Sequence, residues 1–241
     1  MNVIECVDLG KRYGRAWALR DCTLEFPAGH VVALVGPNGA GKTTLLNMAV
    51  GLALPTTGVV TVLGGTPAGS PDALDRIAFV AQDAPLYKNL PVADMLHVAR
   101  NLNRRWDQQR AQARLAELGI PLKKKVGQLS GGQKAQLALT VALARRPDLL
   151  VLDEPLAALD PLARHDFMQS VMAAVAENGT SVVLSSHVVA ELERMASYLI
   201  VLSFGQVKVA GTVDGLVAAH GASLEEIVLT SMRQSGKEVA A

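Results

Sequence analysis

The run Gly36-Pro-Asn-Gly-Ala-Gly-Lys-Thr43 fits the phosphate-loop pattern G-x-x-x-x-G-K-[ST]. Glycines at these spacings let successive backbone N–H groups turn inward on a chain of phosphates, and a helix starting at the end of the loop adds partial positive charge. Lys42 would reach the β- and γ-phosphates, and the Thr43 hydroxyl would ligate Mg²⁺. Gly36, Pro37, Asn38, Gly39, Ala40, Gly41, Lys42, Thr43 and Thr44 are the expected nucleotide contacts.

Further along, 87 residues past Lys42 (129 − 42), the chain reads Leu129-Ser-Gly-Gly-Gln133. Ser130 and Gln133 have the spacing of a capping box at the start of a helix over Gln133 to Arg146. Capping accounts for Ser130 and Gln133 but not for Gly131 and Gly132. Glycine costs about 1 kcal/mol relative to Ala inside a helix, so a pair in the first turn points to something approaching the backbone closely. An anion at the helix N-terminus meets that requirement.

Two carboxylates follow an apolar run, Leu149-Leu-Val-Leu-Asp-Glu-Pro155, and Pro155 stops the strand because it has no N–H to donate. Asp153 falls at the strand's carboxyl end, where nucleotides bind in open α/β sheets and an Asp holds Mg²⁺ directly or through water. Glu154 is the better candidate for base, a role that supplies ~10² to 10⁴ in rate. Alone, such a pair reads as readily as a solvated strand end; beside a phosphate loop it reads as metal ligand and base. Thr180-Ser-Val-Val-Leu-Ser-Ser-His187 delivers an imidazole at a strand end, 34 residues after Asp153 (187 − 153). A lone His is more often structural, yet this position favours contact with the γ-phosphate. His30, His97, His165 and His220 have no such placement and read as surface or packing residues.

These groups need strands and helices to hold them. Val31 to Val35 has the β-branched apolar character of a buried parallel strand, and Thr43 to Val50 reads as the helix that follows the loop. Further strand-like runs lie at Val3 to Asp8, Val59 to Leu63, Arg76 to Val80, Leu149 to Leu152, Ser181 to Leu184, Tyr198 to Leu202 and Gln206 to Ala210. From about Ala84 to Arg146 the pattern turns helical, with helices expected over Val92 to Leu102, Gln108 to Leu118 and Gln133 to Arg146. Strands on both sides of a helical block indicate an inserted lobe. Gly119-Ile-Pro121 and Arg145-Arg-Pro147 mark helix ends, and Lys123 to Lys125 reads as an exposed turn.

At 241 residues, 50% hydrophobic and 19% charged, the chain can bury a large core in one domain, with or without an inserted lobe. A net charge of +1 gives no basic field for nucleic acid. No apolar run approaches the ~18 residues needed to span a bilayer, and the N-terminus lacks the apolar core of a secretory signal. A cytosolic chain is expected, with Cys6 and Cys22 as reduced structural thiols.

Taken in order, these motifs resemble those of ATP-binding cassette (ABC) ATPases over nearly the whole chain. Gly36 to Thr43 matches the Walker A motif, Gln82 the Q-loop glutamine, Leu129 to Gln133 the signature, and Leu149 to Glu154 the Walker B motif with its catalytic glutamate. Leu159-Asp160 matches the D-loop and His187 the switch histidine, while Tyr13, 23 residues before Gly36, matches the aromatic on which adenine stacks. The resemblance implies an α/β phosphate-loop NTPase fold of the ABC ATPase type: a mostly parallel core sheet, an N-terminal antiparallel β portion and an inserted helical subdomain. The implied layout is a nucleotide-binding core over 1–83 and 147–220, a helical signature subdomain over 84–146, and a C-terminal helix and tail over 221–241.

The resemblance further implies ATP hydrolysis in a head-to-tail sandwich, where Ser130, Gly131, Gly132 and Gln133 of one cassette cap the γ-phosphate held by another. One chain then cannot close an ATP site alone, and a second cassette, identical or not, is required. Lys42, Glu154 and His187 are the implied catalytic residues, Thr43, Gln82 and Asp153 the implied Mg²⁺ set, and Asp160 the coupling residue between cassettes. Gln82 would link the core to the helical lobe, whose surface docks a separate multi-spanning membrane subunit. The stretch Asp83 to Pro91 is the candidate for part of that dock, with Leu86, Tyr87 and Leu90 as contacts. The chain would then sit on the cytoplasmic face of the membrane through that permease partner. Departures are small: Gln136 stands where a basic residue is common, and Ala157-Ala158 precede Leu159-Asp160 where Ser or Gly often appears.

The chain's length, Asn-Arg-Arg-Trp-Asp at 103 to 107 and Ser-Leu-Glu-Glu-Ile-Val-Leu at 223 to 229 resemble cassettes of ABC-2-type bacterial exporters, so export is the expected direction. An importer cassette is the competitor within transport. Outside it stand a soluble ABC ATPase of the cluster-assembly type and, more remotely, another phosphate-loop enzyme such as a kinase. Long coiled coils, zinc-binding cysteines and tandem cassettes, marks of repair and translation proteins, are absent from the sequence.

Overall fold

The computed structural model describes residues 1–82, 85–157, 159–189, 192–193 and 195–238, with side chains through Met232. It divides into two compact units, Met1–Leu74 with Ser181–Ala241, and Asp75–Thr180.

The first unit opens with a long hairpin, β1 (Asn2–Tyr13) and β2 (Ala16–Pro27). With β4 (Thr57–Val62) and β5 (Thr66–Pro67) it forms an antiparallel sheet in the order β2-β1-β4-β5. A second group is built around β3 (Val31–Val35), every residue of which is buried. It runs parallel to β8 (Ser181–Ser186) on one side and β9 (Tyr198–Ser203) on the other, and β10 (Gln206–Thr212) adds an antiparallel edge to β9. Covered on both flanks, β3 has no polar face to show, hence its unbroken Val-Val-Ala-Leu-Val. Helix α1 (Lys42–Ala49) follows β3, and α7 (Val213–His220) and α8 (Leu224–Glu238) end the chain. Phe26, Ile4, Leu9, Leu19, Leu34, Leu45 and Leu46 are fully buried in this unit. Each apolar side chain so buried contributes roughly 1.5–3 kcal/mol.

The second unit has two parallel strands, β6 (Ile77–Val80) and β7 (Leu149–Asp153). Between them the chain runs through α3 (Val92–Leu102), α4 (Gln108–Glu117), a 3-10 turn (Val126–Gln128) and α5 (Gly131–Ala144). After β7 comes α6 (Pro161–Asn178). The helices share a core of Val92, Met95, Leu96, Ala111, Leu115, Ile120, Val126, Leu129 and Leu137, with Leu86 and Trp106 packed on its edge. A short helix, α2 (Pro71–Arg76), leads into β6.

The three helices expected in this block form within two residues of their expected bounds; α5 starts two residues early, at Gly131, with Ser130 as its cap. Beyond the short elements α2, β5 and α7, which were not expected, three differences are larger. The first strand runs to Tyr13 rather than Asp8, because Asp8 takes a positive φ of 49° in a bulge and the strand resumes beyond it. All of β2 was unexpected: Cys22, Leu24 and Phe26 alternate inward, but Asp21 at φ 50° slips the phase against Leu19. Helix α6 was also unexpected. Its exposed Leu162 and Met172 blur the apolar stripe that marks a surface helix.

Cys6 and Cys22 are free, buried thiols in the β1-β2 sheet, as their spacing implied. Burial pushes the Cys6 thiol up to about 12, and Cys22, whose Sγ donates to the carbonyl of Gly205, is raised by the same cause.

Candidate functional site

In the first unit, the loop Gly36 to Gly41 leaves the carboxyl end of β3 and enters α1. Two of its glycines are required by their surroundings. A Cβ on Gly36 would lie 2.2 Å from the carbonyl oxygen of Leu202, and Gly41 caps α1 at φ 103°, where a Cβ would meet the Ala18 carbonyl at 2.6 Å. The Ala40 carbonyl accepts from the Gly205 N–H at 3.1 Å. The loop is therefore braced by backbone from β2, β9 and the β9-β10 turn. Pro37, Asn38 and Gly39 form its exposed rim, Thr43 is exposed and Thr44 half-buried.

Lys42 is buried, and its ammonium donates to the Gly36 carbonyl at 2.7 Å and to Pro37 at 3.4 Å. It thus lies folded over the loop's own turn. A phosphate offers an ammonium a stronger, charge-assisted acceptor than a carbonyl.

His187 leaves β8 beside this loop. The strands β3 and β8 are parallel neighbours with Val35 opposite Ser186, so Gly36 and His187 emerge at the same end. His187 is exposed, and the Ser186 hydroxyl accepts from the Val188 N–H at 3.0 Å, turning the chain there. Tyr13 closes β1 at the hairpin tip, 54% exposed, with the Lys11 ammonium 5.2 Å from its ring centroid. Phosphate loop, imidazole and aromatic ring all belong to this unit.

The second unit holds the carboxylates. Because β6 and β7 are parallel with Val80 opposite Leu152, Gln82 and Asp153-Glu154 emerge at one end. Asp153 is 1% exposed and Glu154 8%. Glu154 sits at φ 46°, the left-handed region that costs a residue with a Cβ roughly 1–2 kcal/mol. A cleft of about 320 Å³ brings Gln82, Glu154 and Gly131 together, with Lys88, Lys134, Leu159 and Phe167 in its wall. As cleft residues Lys88 and Lys134 escaped the sequence reading: Lys88 entered it only within the stretch 83–91, and the signal for Lys134 was its place after Gln133.

Both halves of the capping box form. Ser130 Oγ accepts from the Gln133 N–H at 3.2 Å, and Gln133 Oε1 accepts from the Ser130 N–H at 3.2 Å. The glycine pair divides into two cases. A Cβ on Gly132 would come 2.9 Å from the Cβ of Ala163 on α6, so helix packing within the chain accounts for that glycine. Gly131 instead faces the cleft. Asp160 is the N-cap of α6, its Oδ1 accepting from the Ala163 N–H at 2.9 Å.

Of the expected dock, Asp83 and Ala84 lie outside the described residues, as does Ala158 of the Ala-Ala pair. Leu86 packs against the helical core, whereas Tyr87 is 60% exposed and lines a shallow groove of about 380 Å³ with Lys88, Asn89, Leu90 and Val98. Among the described residues no cluster of three or more His, Cys, Asp or Glu could hold a metal, and no helix is long and apolar enough to cross a membrane. Mg²⁺ needs no such cage when substrate phosphates complete its shell; the Asp153 carboxylate in the second unit and the Thr43 hydroxyl in the first are each, taken alone, of a ligand type used in that mode.

A family model described as ABC transporter matches residues 19–157. Over 238 residues the chain is 37% identical to the aliphatic sulfonates import ATP-binding protein SsuB of Escherichia coli (strain K12), covering 95% of this chain and 90% of that protein. The solved structure of an ATP binding subunit of an ABC transporter superposes with a TM-score of 0.84 at 28% identity, over 95% of this chain and 99% of that one. The dimeric, post-hydrolysis ATP-binding cassette MJ0796, bound to ADP and Pi, superposes with a TM-score of 0.77 at 27% identity, over 87% and 98%.

Proposed function

The chain belongs to the ABC transporter family as an ATP-binding subunit that hydrolyses ATP, and from that premise we propose that it powers import through a separate membrane-spanning partner. The observation that carries the direction is the likeness to an import ATP-binding protein along 95% of the chain. Export was the expectation from residues 103–107 and 223–229. Both stretches have structural employment that carries no directional information. Arg104 and Arg105 pair with Asp75 and Asp148, and Trp106 packs on the helical core. Ser223 caps α8 through Glu226, and Leu224, Ile227 and Val228 are buried.

In this reading Lys42 exchanges its two loop carbonyls for the β- and γ-phosphates of ATP, and the loop amides of Gly39 to Thr44 hold the remaining oxygens. Thr43 and Asp153, with Gln82, hold Mg²⁺, which neutralises charge on the phosphates when bound. Buried Glu154 orients and deprotonates the attacking water, and His187 donates to the γ-phosphate. Adenine stacks on Tyr13. The Ser130 hydroxyl and the amides of Gly131 to Gln133 close over the nucleotide of a second cassette, and Asp160 couples the two. Tyr87 and Leu90 on the helical lobe receive the membrane subunit, which holds the chain on the cytoplasmic face.

Direction is tested in proteoliposomes containing the chain with its membrane partner, cassettes facing outward and ATP added outside. Import predicts substrate movement out of the lumen, towards the cassette side, abolished by Glu154→Gln. Accumulation inside the lumen would establish export.

A further inference from the structure

Two turns into α5, the structure buries a polar cluster that no role above uses. Gln136 is 6% exposed and Thr140 1%. The guanidinium of Arg114, from the last turn of α4, donates to Gln136 Oε1 at 2.7 Å and to Thr140 Oγ1 at 3.0 Å. The Thr140 hydroxyl in turn donates a hydrogen bond to the backbone carbonyl of Gln136 at 2.7 Å. Arg114 therefore grips α5 through two side chains and, through Thr140, its backbone. The cluster carries two costs. Gln136 Nε2 is buried with no hydrogen-bond partner, and burial lowers the basicity of Arg114. Apolar side chains of similar volume commonly fill such a site at no loss of stability, whereas a guanidinium fork fixes orientation and delivers charge.

The location gives the charge something to act on. Gln136 lies five residues past Gly131, about 7–8 Å along the helix axis at 1.5 Å per residue. A cation there adds to the positive end of the helix that begins at Ser130 and Gly131. It also fixes the axis along which the Ser130 hydroxyl and the first amides point. We propose that Arg114 is a positioning residue for ATP hydrolysis: it anchors and electrically reinforces the start of α5, where the phosphate of a partner cassette's ATP is capped. The proposal rests on the reading that Ser130 to Gln133 close a second cassette's site.

Three variants test it in the full chain: Arg114→Met, which keeps the stem without the charge; Arg114→Lys, which keeps the charge without the fork; and Arg114→Met with Gln136→Arg, which returns a guanidinium to the same spot from α5. Steady-state ATPase against ATP concentration is read beside binding of a fluorescent ATP analogue to the single chain and thermal melting. Arg114→Met should lower kcat about tenfold with KM and single-chain binding within twofold; Arg114→Lys should fall between, and the double variant should recover at least half of the loss. Unchanged kcat in Arg114→Met, or a loss that tracks melting and is not recovered by Gln136→Arg, overturns the positioning role. Ser130→Arg, run in parallel, separates the two ideas. If it abolishes ATPase while Arg114→Met does not, only the Arg114 proposal fails; if it leaves ATPase and ATP-driven dimerisation intact, the capping reading fails with it.

Discussion

Glu154 combines a proposed chemical role with a measurable strain, and the two can be pulled apart. Its φ of 46° places a residue with a Cβ in the left-handed region, and only 8% of its surface is exposed. The region costs roughly 1–2 kcal/mol for any residue but Gly, while Gly loses about 0.4–1 kcal/mol through its freer unfolded chain. Glu154→Gly should therefore exceed Glu154→Ala in stability by about 0.5–1 kcal/mol. Both remove the carboxylate, so the effect of losing it is common to them and cancels. For 241 residues the unfolding entropy near 60 °C is about 0.5 kcal/mol/K, so calorimetry without nucleotide should place the Gly variant ~1–2 °C above the Ala variant. Glu154→Gln keeps the backbone angle and nearly the same shape, and should lose ~10² to 10⁴ in turnover while still binding ATP. It should accumulate as an ATP-bound dimer on size exclusion. The strain is refuted by a Gly variant that melts at or below the Ala variant, and the base assignment by wild-type turnover in the Gln variant.

Other perturbations follow from the same geometry. Gly132→Ala forces a Cβ to within 2.9 Å of Ala163, so overpacking of about 1–3 kcal/mol should outweigh a helix-propensity gain of about 1 kcal/mol. Adding Ala163→Gly should return part of the loss in a double-mutant cycle of melting temperatures; strict additivity would show that the two helices do not meet there. Ser130→Arg should leave ATP binding by the single chain intact and block ATP-driven dimerisation, and unchanged dimerisation contradicts the sandwich. Cys6 titrates near 12 in the folded chain against an ordinary 9.0. Above pH 9 the unfolded chain releases that proton and the folded one keeps it, so this stability is whole below pH 9 and drains as pH rises towards 12. By pH 10 the loss is about 1.4 kcal/mol, and the fall in melting temperature from pH 8.5 to 10 should be shallower in Cys6→Ala; equal slopes would assign the fall to other groups.

What the sequence revealed and hid follows one rule: patterns confined to a single element were legible, and those created by a neighbour were not. The loop after β3 and the three lobe helices could be placed because their periodicity or spacing is complete within one run. Strand β2 was hidden by two residues: Asp8 and Asp21 both take positive φ, and each shifts the inward-outward alternation by one, so neither strand shows an unbroken period of two. The roles of Gly36 and Gly132 depend on Leu202 and Ala163, which are 166 and 31 residues away (202 − 36 and 163 − 132). A pair of adjacent glycines looked like one feature and proved to be two, one excluded from bearing a Cβ by α6 and one lining the cleft. The Arg114 cluster is the extreme case, because Arg114, Gln136 and Thr140 each look like an ordinary surface position of an amphipathic helix until α4 and α5 are laid together. Against the family resemblance, Gln136 was read as standing where a basic residue is common. Packing supplies that cation from another helix, so a deficit in one element's sequence is a prompt to look for its compensation across the nearest interface.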